Sequence, residues 1–374
     1  MSIIRALTYH IPPCKGESFD YLIKQMETGS EKLEIVKKQC RTKIWTKRVV
    51  FPPLYFKTED LPKISKLVEE AMETCGIDYA VIPLGRRDPK DVARSLPTSL
   101  SETSKVFYNI KVADINEDPE DLIPVAELIR KISERAGPEA CIRFAIAYGG
   151  PPETPYFPAS TSTRRGISAC LRYAGDLLEK ITSSKEDLDR IMLSLVRPAT
   201  QEIELACSKQ GFEFIGMDAS LSPWMEESVA KVIEALSGTT FGMPGTFNAI
   251  HKLNSSISRL SEHLRLTGFN EVMLPLAEDN RLKELGASGM ISAMDLVSTI
   301  SVCVAGLDMV LLPSSVKVKE LAMLFKDAIV LALRKRRPIG IRIILVDAQP
   351  FEWVELEGFT KAPVIPLSRV SSYS

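Results

Sequence analysis

Histidine is almost absent from this chain, with 3 in 374 residues. No two of them stand at metal-ligand spacing. His251 and His263 share one amphipathic stretch, roughly 18 Å apart at 1.5 Å per residue of helix, too far to hold one ion. The 7 cysteines form no C-x-x-C pair, so zinc-finger, iron–sulfur and secreted disulfide frameworks are unsupported and a reducing cytoplasm fits best. Charge of one sign is missing too. With 47 Lys+Arg against 48 Asp+Glu, the net charge of −1 offers no general attraction to nucleic acid or to an anionic membrane. No apolar run reaches the roughly 18 residues of a membrane helix. The nearest approach, 321–333, is broken by Lys326 and Asp327. The opening MSIIRALTYHIPP has neither the length nor the cleavage site of a secretory signal. Asn and Gln are sparse beside Pro and Ile, a bias that leans toward a thermophilic source. What remains, with 45% hydrophobic and 25% charged residues, is an ordinary soluble composition.

Short β-branched runs alternate with helical patterns almost throughout. Strands are expected at 3–9, 48–51, 79–82, 106–112, 142–147, 213–216, 271–274, 309–312, 339–346 and 352–356. Apolar residues at helical spacing mark 61–74, 119–135, 167–178, 185–209, 226–236, 246–264 and 316–335. Alternation of this kind predicts an α/β protein whose mainly parallel sheet is covered by helices. No composition shift divides the chain, so residues 1–374 read as one domain. The Pro/Gly/Ser-rich stretch 149–162 reads as an ordered loop carrying Tyr156 and Phe157. Ser222 followed by Pro223 looks like a helix start, and Lys335, Arg336 and Arg337 before Pro338 look like a helix end.

Several residues are candidates for chemistry. The glycine-spaced loop 238–246 runs into a helix, so Gly242, Gly245 and Thr246 either bind an anion or form a tight turn capped by Thr246. It is no Walker loop, because Lys-Ser/Thr does not follow the last glycine. Asp218, Glu278, Asp279 and Asp308 fall where strands meet loops. If they converge, they are candidate metal ligands or a shared acid/base site; taken singly, each is a cap or turn residue, as Asp279 is for a helix at 280–285. His10 follows the first strand and is a catalytic candidate or a packing residue. Cys303 lies in an apolar stretch with no neighbouring base, which favours a structural thiol over a nucleophile. Cys75 ends a helix at Gly76, while Cys14 is the cysteine expected to be accessible.

A set of segments resembles the family called domain of unknown function 711. It comprises Phe214-Ile-Gly-Met-Asp218-Ala-Ser-Leu-Ser-Pro223, Ser228-Val-Ala230, Phe241-Gly242 through Gly245-Thr246, Met273-Leu-Pro275-Leu-Ala-Glu278-Asp279, Cys303-Val-Ala-Gly-Leu-Asp308-Met and Ala362-Pro363-Val364. Thr46-Lys-Arg48-Val, Glu102-Thr-Ser-Lys-Val106 with Asn109, and Phe144-Ala-x-Ala147 are similar as well. The likeness runs in register along nearly the whole chain, except that Arg164-Arg165-Gly166 stands where bacterial members carry Gly-Val-Ser-Gly-Pro-Gly. It implies a closed barrel of about ten strands like that of pyruvate formate-lyase, two parallel five-stranded halves surrounded by helices, with a loop inserted into it. The residues around Cys303 are one candidate for that loop. The tail Arg369-Val-Ser-Ser372-Tyr echoes a glycyl-radical motif, but Ser372 stands where the radical glycine belongs, so no glycyl radical is expected.

These readings lead to a cytoplasmic protein that binds a small polar or anionic metabolite, with room for a non-radical enzyme. Arg48, Asn109, Asp218, Gly242, Gly245, Thr246, Glu278 and Asp279 would bind the ligand, Asp308, Cys303 and His10 are the catalytic candidates, and Asp218, Glu278, Asp279 and Asp308 the metal candidates. The cofactor is open. The alternative is a non-catalytic regulatory or assembly protein retaining an enzyme-like barrel. Relatives encoded near small ACT-domain regulators, as the resemblance implies, lean that way. A homo-oligomer is compatible with either; a nucleic-acid or membrane partner is not expected.

Overall fold

The computed structural model describes residues 3–13, 19–54 and 56–369, so Cys14 and Ser372 lie outside the described residues. Strand β1 (Ile3–His10) is followed by β2 (Ile44–Val50), β3 (Tyr79–Pro83), β4 (Val106–Ala113) and β5 (Phe144–Tyr148). These five pair in parallel in that order. Each is a run of mostly buried apolar residues, as a sheet covered on both faces requires. Helices cover one face. The helix Phe19–Gln39 brings Gly29 against the ring of Tyr9, where a Cβ would fall 2.2 Å from Cδ1.

The second half turns the other way. Strand β6 (Gly166–Arg172) is antiparallel to β1 and carries β7 (Phe214–Asp218) parallel on its far side. At the other flank β9 (Ile339–Val346) is antiparallel to β5 and carries β8 (Gly306–Pro313) parallel to itself. The result is a mixed, mostly parallel nine-stranded sheet. Between its edge strands runs the segment 265–273, joined to both sides by parallel bridges: Met217 with Leu266, Leu221 with Val272, and Val272 with Val304. The hairpin β10 (Trp353–Leu356) and β11 (Thr360–Pro363) stands apart.

Buried apolar side chains form two separate clusters. The larger lies between sheet and helices. The smaller gathers Ala6, Ala145, Cys170 and Ala305 with Tyr156 and Ala159 of the loop 150–163. Residues from both flanks of the sheet thus meet around one loop, and the sheet curves about it. Asn109 Nδ2 holds that loop through the carbonyls of Pro158 (2.7 Å) and Ser160 (2.8 Å), and Ser162 Oγ donates to Ile11 O (2.5 Å).

Four expectations are corrected. Residues 166–172 form a strand, not the start of a helix at 167, because a run buried on both faces satisfies either period. Residues 271–274 make isolated bridges rather than a full ladder, so the pairings stop short of a continuous ten-stranded barrel. Ser222-Pro223 starts no helix; the next helix is Val229–Ser237, capped by Ser228, whose hydroxyl accepts from Lys231 N. The loop laid inside the sheet is 150–163. The residues around Cys303 instead form a turn of 3-10 helix, Ile300–Val302, with Cys303 left-handed at its end. Among the described residues no helix is long and apolar enough to cross a membrane.

Candidate functional site

A cavity of about 510 Å³ opens at the amino-terminal ends of β1–β5. Parallel strands in register bring unrelated parts of the chain to its wall. Arg5 comes from β1, Arg48 from β2, Tyr79 from β3 (the register partner of Arg48) and Phe107 from β4. Arg342 comes from β9, Asp308 from β8, and Glu278 from a 3-10 turn, Leu276–Glu278, that packs on β8. Phe157 of the inner loop forms part of the wall.

The charges are linked. Arg5 Nη2 donates to Glu278 Oε2 (2.5 Å), and its Nη1 to Ser222 Oγ (3.1 Å) and Pro223 O (2.7 Å). Arg342 grips Asp308 with two bonds, Nε to Oδ1 (2.7 Å) and Nη2 to Oδ2 (2.9 Å), and reaches Glu278 Oε1 at 3.2 Å. Paired, forked contacts of this kind are the geometry arginine favours. Burial opposes ionisation of Glu278, yet Arg5, Arg342 and Arg48 outweigh it and hold the carboxyl below its usual range. Burial likewise works against the Arg5 and Arg342 guanidiniums, and their carboxylate partners raise both above the ordinary value.

Arg48 is different. Its Nε donates to Thr46 Oγ1 and its Nη1 to Pro155 O, both at 3.0 Å. Its guanidinium carbon lies 5.3 Å from the Phe157 ring and 5.5 Å from the Tyr79 ring, a cation held between two π faces. Among the described residues no carboxylate lies within ion-pair distance of it, and burial pushes its pKa below the ordinary value. Four guanidiniums, of Arg5, Arg48, Arg143 and Arg342, and four carboxylates, of Glu139, Glu278, Asp308 and Glu357, line the cavity, so its wall is balanced in charge.

The structure therefore gathers Arg48, Glu278 and Asp308 and disperses the other candidates. Asp218 is enclosed by donors: Thr154 Oγ1 (2.5 Å), Ser220 Oγ (2.6 Å) and the amides of Ser220, Phe269 and Asn270. Asp279 accepts from Ser228 Oγ and from the amides of Val229, Ala230, Arg281 and Leu282, capping two helices at once. Burial nonetheless raises the pKa of both acids. Gly242, Gly245 and Thr246 form the turn: Gly245 is left-handed (φ 105°), and Thr246 Oγ1 accepts from Gly242 N and donates to Met243 O. Cys303 is half-buried and absent from the cavity wall, with its carbonyl bonded to Asn254. Asn109 faces a second, smaller cavity. Among the described residues no group of three His, Cys, Asp or Glu side chains is placed to hold a metal ion, so the four acids do not converge as a shared site.

His10 is fully buried, its Nε2 2.7 Å from Ser168 Oγ and its Nδ1 without a partner. Burial pulls its pKa down to about 4, against the pull of Glu153, so the ring is neutral near pH 7. It lines neither the cavity of about 510 Å³ nor the smaller second one. The basic cluster does end a helix, Val318–Lys335, with Arg336 left-handed at its cap; Lys335 and Arg337 in addition clamp buried Glu271 at 2.8 and 2.7 Å and so pin the segment 265–273.

Sequence reasoning missed Arg5 and Arg342. Both stand alone in apolar strands, Ile-Ile-Arg-Ala-Leu and Ile-Gly-Ile-Arg-Ile-Ile, and that was the available signal: a charge inside a buried strand needs a buried partner.

A curved α/β sheet enclosing an arginine-lined cavity defines the class of molecule. The family described as uncharacterised ACR (DUF711) matches residues 4–356, and the chain belongs to it. A UPF0210 protein of Methanopyrus kandleri is 24% identical over 333 residues, covering 82% of this chain and 73% of its own length. UPF0210 proteins of Bifidobacterium longum subsp. infantis (23% over 343 residues, 84% and 76%) and Methanosarcina acetivorans (24% over 348 residues, 84% and 74%) are similar to the same extent.

Proposed function

We propose that the arginine cavity binds a small organic anion, its carboxylate or phosphate against Arg48 and its apolar body against Tyr79, Phe107 and Phe157. The observation that carries this reading is the guanidinium of Arg48, half-buried in the cavity wall and without a carboxylate of its own. A partly buried charge without a partner is costly, and an anionic ligand supplies the missing partner. Glu278 and Asp308 are both held by arginines, an arrangement that favours binding or regulation over acid–base turnover by these two groups. The same reading extends to the architecture. Bridges on both sides of 265–273, and an inner cluster drawing on both flanks, support a ring in which this segment is the tenth strand between β7 and β8. Such a ring has two antiparallel five-stranded halves, as the family resemblance implies.

Titration of the protein with benzoate, 3-phenylpropionate and inorganic phosphate tests the site. A ligand at 100 times its Kd adds about 2.7 kcal/mol of stability, readable as a rise in Tm. Arg48→Gln is expected to weaken binding by about tenfold or more, the scale of a lost charge-assisted contact. A full panel of carboxylates and phosphates without a shift, or a shift that survives Arg48→Gln, would rule the reading out.

A further inference from the structure

The strands β1–β5 have a second mouth at their carboxy-terminal ends. A cavity of about 400 Å³ lies there, and no residue lines both it and the arginine cavity. The loop 150–163 separates the two: Phe157 faces the first, Thr161 and Ser162 the second. A space of that size holds on the order of ten waters, so it is no packing defect.

Four prolines, Pro13, Pro53, Pro83 and Pro151, ring this cavity. Proline has no N–H, so the rim offers flat apolar rings and no backbone donors from those positions. The polar groups are few and mostly engaged. Ser162 Oγ donates to Ile11 O, and Thr163 Oγ1 to Glu153. Two oxygens are left without a partner, Asn109 Oδ1 and Thr161 Oγ1. Asn109 is fully buried and Thr161 only 7% exposed, and both residues line the cavity. The Asn109 amide is not free to turn, because its Nδ2 is fixed on Pro158 O and Ser160 O. Its Oδ1 is therefore an acceptor awaiting an O–H or N–H. Buried polar atoms in folded proteins are almost always satisfied, so two orphans on one cavity point to an occupant. Lys111, also on the wall, is paired with Asp114 and keeps further N–H donors. The pair is neutral, and its ammonium disfavours a cationic guest.

We propose that this second cavity binds a small neutral polyhydroxylated molecule. One hydroxyl donates to Asn109 Oδ1 and an adjacent one exchanges a hydrogen bond with Thr161 Oγ1. Lys111 Nζ donates to a third oxygen, and the proline rings cover the C–H face.

Saturation-transfer NMR on the full chain with myo-inositol, D-ribose and D-glucose tests this, with Kd read by titration. At least one is expected to bind, with Thr161→Val weakening it about tenfold or more. Thr161→Val itself should fold with an unchanged or higher Tm, since the hydroxyl it removes has no partner in the protein. If that variant fails to fold, Lys111→Met decides in its place, with an expected loss of several-fold in affinity. Absence of binding by all three polyols overturns the proposal and leaves water as the occupant. Affinity unchanged in the deciding variant overturns it too, and binding of ethanolamine in place of the polyols overturns the ligand class.

Discussion

At the scale of single residues, His10 makes a measurable statement about acid. Its folded pKa of about 4 lies below the ordinary value near 6.5. Above pH 6.5 the ring is neutral in both folded and unfolded chains and stability is at its full value. As pH falls through that window the unfolded chain gains a proton that the native state refuses, at about 1.4 kcal/mol per pH unit. Tm is therefore expected to fall from pH 7 to pH 5, and His10→Gln should remove about 2 kcal/mol of that drop. Equal pH slopes in thermal melts of the two proteins would show that the burial of His10 is not what acid attacks. Residue by residue, the sequence exposed less of the site than of the frame. Arg48, Glu278 and Asp308 were legible as candidates and stand together. Asp218 and Asp279 carried the same signal, an acid at a strand end, yet each is surrounded by hydroxyls and amides. A single sequence does not show which carboxylate meets a guanidinium and which meets backbone N–H groups, because that depends on partners distant in the chain.

At the scale of elements, caps and clamps do more than chain order suggests. Asp279 joins the helix Val229–Ser237 to the helix Asn280–Ala287 by capping both. Asp279→Ala leaves several buried donors without a partner, and each of these is worth about 1–3 kcal/mol. A loss of about 3 kcal/mol or more in denaturant unfolding is expected; a loss below about 1 kcal/mol, the value of one ordinary cap, would show that the second helix does not depend on it. The strands were legible wherever β-branched runs sat between turn residues, as in β1, β3 and β9. The run Gly166–Arg172 was not, since a fully buried heptapeptide has no polar face from which to read its period. Lys335 and Arg337 read as a helix terminus for a sound reason, the dipole. Their grip on Glu271 depends on a segment some sixty residues earlier, which local reasoning does not reach.

At the scale of the whole molecule, the segment 265–273 decides what kind of sheet this is. If it completes a ring, the amides that bond across it are as well protected as those of the central strands: Thr267 donating to Met217 O of β7, Met273 to Leu221 O just past β7, and Ala305, just before β8, to Val272 O of the segment. Native-state hydrogen exchange is expected to place them with the amides of β2–β4, in the slowest class. Exchange by local fraying at those three positions, with slow exchange elsewhere, would mean an open sheet with two edges. The family likeness anticipated ten strands, and the count of strand-like runs agreed with it, but neither distinguishes a ladder from scattered bridges.

The loop that parts the two cavities also constrains the order in which the protein is assembled. It is tied to the first five strands through Asn109 and Ser162, and to the later chain through Thr154 and Asp218. On the proposed ring, a segment lying inside it has to be seated before the last stave arrives, since threading it afterwards means prising the wall apart. Synthesis delivers the pieces in that sequence, the amino-terminal strands and the loop leaving the ribosome before residues 265–273 exist. A circular permutant that begins at the later half reverses that schedule, and its refolding yield would report how far enclosure depends on birth order.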